Sequence, residues 1–174
     1  GHRVLRLPLE PLSPRDVQDL ARSRFGLDLS TTAAHGLARH TGGSPRQIEE
    51  LLAELPPETW HSWFPHLPAS SRVRSRVRSV LGGASPGLVA VAEAAAVLGP
   101  GTGVEEVRAV AGLDDALPAL DEGHRAGLLS LTTAQAGSAV RFLEPGTREA
   151  VYELMVPSRR IALHRAAAAT VRDE

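Results

Sequence analysis

Residues 41–55 read Thr41-Gly42-Gly43-Ser44-Pro45-Arg46-Gln47-Ile48-Glu49-Glu50-Leu51-Leu52-Ala53-Glu54-Leu55. A turn of small residues opens directly into an amphipathic segment. Gly42 and Gly43 let the backbone take a positive φ or approach another group closely. Ser44 suits an N-cap, and Pro45 suits the first helical turn, where its missing N–H is not needed. Ile48, Leu51, Leu52 and Leu55 recur at i, i+3, i+4 and i+7, the period of one helical face. This predicts a helix from Pro45. Such a turn presents backbone N–H groups outward, and a helix N-terminus favours a phosphate or another polar ligand. The same residues also serve a plain helix-to-helix turn.

The same signals recur on both sides of this stretch. Ser13-Pro14-Arg15-Asp16 starts a helix that places Val17, Leu20, Ala21 and Phe25 on one side and ends at Gly26. Ser30 caps a second helix carrying Ala34, Leu37, Ala38 and Thr41 inward. Residues 56–68 hold four prolines and both tryptophans, which reads as an irregular connector. Arg72, Arg74, Arg76 and Arg78 alternate with Ser and Val, a period of two. Yet Val73, Val77, Val80 and Leu81 also fit a helical stripe, and the flanks favour helix. Ser85-Pro86 opens a helix to Leu98 that is apolar nearly all round and therefore central. Thr102 and Glu105 have the spacing of a capping box for a helix ending at Gly112. Residues 114–125 read as another helix, with Leu117 and Leu120 inward. Leu128–Thr132 and Ala139–Phe142 read as two short strands, and two helices follow Pro145 and Ser158. Three helices and then a hairpin is the order of a winged helix. The expected fold is mainly α: a small helical bundle with its connector over residues 1–66, then a winged-helix domain with one short β-hairpin over 67–174.

Composition narrows the chemistry. The 174 residues carry a net charge of −1, so no global field favours nucleic acid or a membrane surface. There is no cysteine, which removes disulfides, thiolate catalysis and Cys-based zinc sites. All 19 basic residues are arginine. Without lysine there is no Walker A loop and no Schiff base. No apolar run is long enough to span a bilayer, and no signal peptide is visible, so a cytoplasmic location is expected. Gly83-Ala84-Ser85-Pro86-Gly87 matches a nucleophile elbow in letters only. The residue after the serine must donate an N–H there, and Pro86 has none. Gly99-Pro100-Gly101-Thr102-Gly103 lacks the spacing and the lysine of a phosphate loop, and reads as a turn. The seven histidines show no metal-ligand spacing. No catalytic set emerges, and the chain reads as a non-enzymatic part of a longer protein. Two binding surfaces remain. Arg72, Arg74, Arg76 and Arg78 form a possible face for phosphates, or a solvated basic helix surface. Trp60, Trp63 and Phe64 are possible anchors for a partner protein.

Six pieces taken in order resemble one family. They are RLPLEPLSPRDVQDLARSRFG (6–26), HTGGSPRQIEELLAEL (40–55), LPASSRVRSRVRSVL (67–81), LVAVAEAAAVLG (88–99), ALDEGHRAGLL (119–129) and VRFLEPGTREAVYELMVPSRRIALHRAAAA (140–169). The chain resembles the region that follows the nucleotide-binding core in STAND-class AAA+ ATPases, in particular the large LuxR-type transcriptional regulators of actinobacteria. The resemblance implies a lid-like helical bundle and a winged helix. It implies ATP or ADP as the cofactor of the parent protein, with none bound by this fragment alone. Its implied partners are the nucleotide-binding core and downstream domains of the same protein, with self-association possible. Direct DNA binding is assigned elsewhere in such regulators, to a separate helix-turn-helix at the far end. By the resemblance, Gly43, Ser44 and Pro45 touch the adenine side of the nucleotide. The family often carries Arg-Phe-x-His-Pro with the histidine near the phosphates. Here Arg141-Phe142-Leu143-Glu144-Pro145 places glutamate at that sensor position. A carboxylate repels phosphate, so Glu144 is expected instead at the start of the next helix, as an N-cap or near it.

Overall fold

A computed structural model describes residues 10–61, 67–134 and 137–170. These residues are mainly helical, with one two-stranded antiparallel sheet. The chain divides into two compact units that meet in sequence between Leu67 and Pro68.

In the first unit, α1 (Pro14–Phe25), α2 (Thr31–Thr41) and α3 (Pro45–Glu54) pack pairwise. Ser13 and Asp16 close a capping box at α1. The Ser13 hydroxyl accepts from the Asp16 N–H at 3.3 Å, and the Asp16 carboxylate accepts from the Ser13 N–H at 2.9 Å. Ser30 caps α2 by accepting from the Ala33 N–H at 3.1 Å. With their ends fixed, the helices turn their apolar stripes inward. Val17, Ala21, Leu37, Ile48 and Leu51 are buried together, and burying each leucine or isoleucine contributes about 1.5–3 kcal/mol. The connector joins this core through a 3-10 turn at Pro57–His61. Trp60 was expected as a surface anchor; it is buried against α-helical leucines instead, because so large an apolar ring gains more from the core than from water. Trp63 and Phe64 lie outside the described residues.

In the second unit, α4 (Ser71–Gly82) buries Val73 and Val77, one turn apart. The helical period therefore wins over the alternation of arginines. Helix α5 (Pro86–Leu98) is central. It packs against α6 (Val104–Ala111), α7 (Leu117–Arg125), α8 (Thr147–Leu154) and α9 (Pro157–Thr170). Ala94, Ala95 and Ala96 are all buried, which is possible only with neighbours on several sides. Gly123 lets α7 approach closely. A Cβ there would meet Leu88 Cδ1 and Leu129 Cδ1, both at 3.0 Å. Strands β1 (Leu129–Ala134) and β2 (Gly137–Phe142) pair from Leu129↔Phe142 to Ala134↔Gly137. A short extended piece between α5 and α6 joins them: Gly103 bridges Ala139, and the Val140 N–H donates to the Thr102 carbonyl at 2.9 Å. Helix, extended piece, two helices and hairpin complete the winged-helix order.

Two local expectations change and a third narrows. The α6 cap sits one residue later than Thr102 and Glu105 imply. The Thr102 hydroxyl turns back to donate to the Gly99 carbonyl at 2.9 Å, and Gly103, which bridges Ala139, is the N-cap, with the Glu106 carboxylate accepting its N–H at 2.9 Å. Leu117 is not inward but 56% exposed. Helix α7 begins at Leu117, so Ala116 and Leu120 take the inward face and Leu117 projects from the first turn. Glu144 stands near a helix start, two residues before its N-cap rather than at it. Helix α8 begins at Thr147 with Gly146 at the cap, φ +78°, and only the Glu144 backbone carbonyl takes part, accepting from the Thr147 N–H at 3.2 Å.

Candidate functional site

The turn before α3 holds the residues expected to touch a nucleotide. Gly42 and Gly43 both take positive φ, +60° and +70°. Their amides fold back onto α2: Gly42 N–H donates to Arg39 O at 3.4 Å, Gly43 N–H to Ala38 O at 2.8 Å, and Ser44 N–H to Thr41 O at 3.2 Å. The outward amides expected of this turn are therefore absent, because the end of α2 needs those same donors to satisfy its last carbonyls. What the turn does present is the α3 N-terminus. Ser44 stands at the cap position, yet its hydroxyl makes no bond to the helix, and Pro45 is exposed beside it. The helix dipole at this end is thus not answered by Ser44.

Gly43 has a second constraint. Its carbonyl accepts the Leu12 N–H at 2.9 Å. A Cβ on it would lie 2.6 Å from Pro11 Cβ and 2.9 Å from both the nitrogen and the oxygen of Leu12. The segment entering α1 lies directly against the turn. No sequence signal marked this, because Pro11 and Gly43 are distant in the chain.

The arginines of α4 divide by face. Arg72 and Arg76, one turn apart, both reach the Glu144 carboxylate, Arg72 at 3.4 Å. Arg76 also donates to the Gly127 carbonyl at 3.1 Å. Arg74 pairs with Glu153 at 3.0 Å and donates to the Ala69 carbonyl at 2.7 Å. The other Glu153 oxygen accepts the Ala69 N–H at 2.9 Å. Arg78 is exposed. Three of the four arginines thus tie α4 to the loop before α8 and to α8 itself, rather than forming an open basic surface. Glu144 lies 72 positions from Arg72, so nothing local in the sequence announces the pair.

The helix before the hairpin and the residues leading into it carry more acidic than basic side chains. In helix-turn-helix motifs the second helix of the pair enters the major groove. Here that helix is α7, and Asp114, Asp115, Asp121 and Glu122 on and before it outnumber His124 and Arg125. Glu122 reaches across to the start of α5. Its carboxylate accepts the Ser85 hydroxyl at 2.5 Å and the Ser85 N–H at 2.9 Å. These bonds, the hydroxyl first, hold the Glu122 carboxyl below its ordinary range. Ser85 in turn caps α5 at the Leu88 N–H, 3.1 Å. The serine of the elbow-like motif is thus a structural cap.

Among the described residues no group of three or more histidines and carboxylates is placed to hold a metal ion, and no helix is long and apolar enough to cross a membrane. No protein-family model, curated protein or solved structure matches the chain.

Proposed function

We propose that this chain is a non-catalytic regulatory segment of a STAND-class AAA+ ATPase of the LuxR-type regulators. In this reading it acts in the cytoplasm and packs on a nucleotide-binding core that supplies the P-loop. The bundle acts as a lid, and the winged helix helps hold the nucleotide switch in one state. Gly43, Ser44 and Pro45 form the edge of the adenine site. The observation that carries the reading is the α3 N-terminus. Its cap serine makes no bond to the helix, its proline is exposed, and it opens from a turn that a neighbouring segment holds fixed. A helix end left in that state favours a polar ligand. The order of bundle and then winged helix supports it further. Glu144 has no phosphate-sensing role in this scheme, because its carboxylate binds two arginines.

The test compares nucleotide binding with and without a core. The chain alone supplies one edge of an adenine site and has no lysine. Calorimetry on it should show no ADP affinity tighter than about 10 μM, near −7 kcal/mol. In a protein where a P-loop core precedes residue 1, photo-labelling with 8-azido-ADP should mark residues 42–47. Tight binding by the isolated chain, or a label placed elsewhere in it, overturns the proposal.

A further inference from the structure

The Glu144 carboxylate is shared by two arginines. One carboxylate receives two guanidinium groups, Arg72 and Arg76, presented from successive turns of a single helix. Arg76 is also held by a bond to the Gly127 carbonyl at 3.1 Å. Arg72 and Arg76 keep 39% and 46% of their side chains exposed, while Glu144 keeps 20%. Both arginines thus keep part of their surface in solvent while paired, and the carboxylate is the more buried partner. Two arginine forks held at a fixed spacing are a geometry that suits phosphate oxygens, which accept paired N–H bonds from guanidinium. A phosphoryl group at neutral pH also brings more negative charge than one carboxylate, about −1.5 to −2.

We infer that Arg72 and Arg76 form a phosphate-class anion site whose resident occupant is Glu144. The carboxylate belongs to residues 143–146, a short link between β2 and α8. While the link is seated the site is closed by its own side chain, and an external anion must displace a tethered competitor. When the link is unseated, the same two arginines are available to a phosphate or pyrophosphate. The device is an intramolecular plug, independent of the adenine edge proposed for Gly43–Pro45.

The experiment titrates inorganic pyrophosphate into the full chain, wild type and Glu144→Gln, by calorimetry. The neutral variant keeps the size of the side chain and removes its charge. It should bind pyrophosphate at least about tenfold more tightly than wild type, the scale expected when a close charge competitor is lost. Adding Arg76→Ala to Glu144→Gln should abolish the gain. A Glu144→Gln chain that binds no better than wild type overturns the inference, and so does a gain that survives Arg76→Ala. Should Glu144→Gln fail to fold, Glu144→Asp is the second arm. It keeps the charge but withdraws it by one methylene, and it should bind more tightly than wild type; no change overturns the inference. In wild type, ¹⁵N spectra of the arginine side chains should show slower exchange at the Arg76 Nη–H groups, which contact Glu144 and Gly127, than at those of Arg78. Equal exchange means no clamp exists and also overturns it.

Discussion

At the scale of single residues, two glycines with opposite surroundings separate freedom of space from freedom of backbone. Gly43 has φ +70° and no room for a Cβ, since Pro11 and Leu12 lie within 3 Å of where it would be. Gly43→Ala should therefore destabilise the first unit by about 1–3 kcal/mol, through both backbone strain and the displaced Pro11 segment. Gly36 lies inside α2 with nothing within 4 Å of its would-be Cβ. Gly36→Ala should stabilise by about 0.5–1 kcal/mol, because alanine loses less backbone entropy in a helix. Urea unfolding followed by circular dichroism measures both. Equal effects of the two variants would show that the Pro11–Gly43 contact is not held in solution. The sequence marked Gly43 as special but could not say why. Its turn chemistry is local, whereas the neighbour that forbids a side chain comes from another part of the chain.

At the scale of elements, helix starts account for much of the chain's polar chemistry. Ser13, Ser30, Ser70 and Ser85 each accept an N–H from the third residue onward. Ser85→Ala should cost about 1 kcal/mol as a lost cap. Its partner gives the fold a pH dependence. The Ser85 hydroxyl and backbone N–H favour the ionised Glu122, so its folded-state pKa lies below the unfolded one. The same holds for Asp16 through Ser13. A depressed carboxylate contributes its full stability above the unfolded value and loses it as the pH falls through the lowered native value. Stability should be flat near neutrality and should decline below about pH 4.5, the ordinary glutamate value. Glu122→Gln should make that decline shallower, as read from urea midpoints between pH 7 and 3. An unchanged acid slope would mean that the bond to Ser85 does not persist in solution. Inside the second unit, α5 is the element on which others depend. Leu88, in the first turn of α5, is fully buried beside Gly123 of α7, so Leu88→Ala should cost about 2–5 kcal/mol in the same assay.

At the scale of the whole molecule, charge placement matters more than net charge. The net value of −1 is nearly neutral, but three arginines of α4 are tied to carboxylates and α7 is acidic. Binding to random duplex DNA at physiological salt should be weaker than the usual non-specific range of roughly 10⁻⁴–10⁻⁶ M. A gel shift at low micromolar protein that is lost in Arg72→Ala/Arg76→Ala would replace the regulatory reading with a DNA-binding one.

Most helix starts and stops were determined by the sequence alone, because caps, prolines and the 3.6-residue stripe act within one or two turns. The hairpin and the centrality of α5 were legible for the same reason: alternation and an all-round apolar surface are written in adjacent residues. The tertiary structure alone decided that Gly103, the α6 cap, pairs with Ala139, since a single bridge to the hairpin leaves no pattern in the sequence. It also decided which way Leu117 faces, because the first residue of a helix can point either way until its neighbours fix the phase. The same is true of the charges. Glu144 beside a helix start reads as a cap by proximity, and the arginine row reads as a free surface. Coulomb attraction between groups far apart in the chain, brought within a few ångströms by packing, joins them instead.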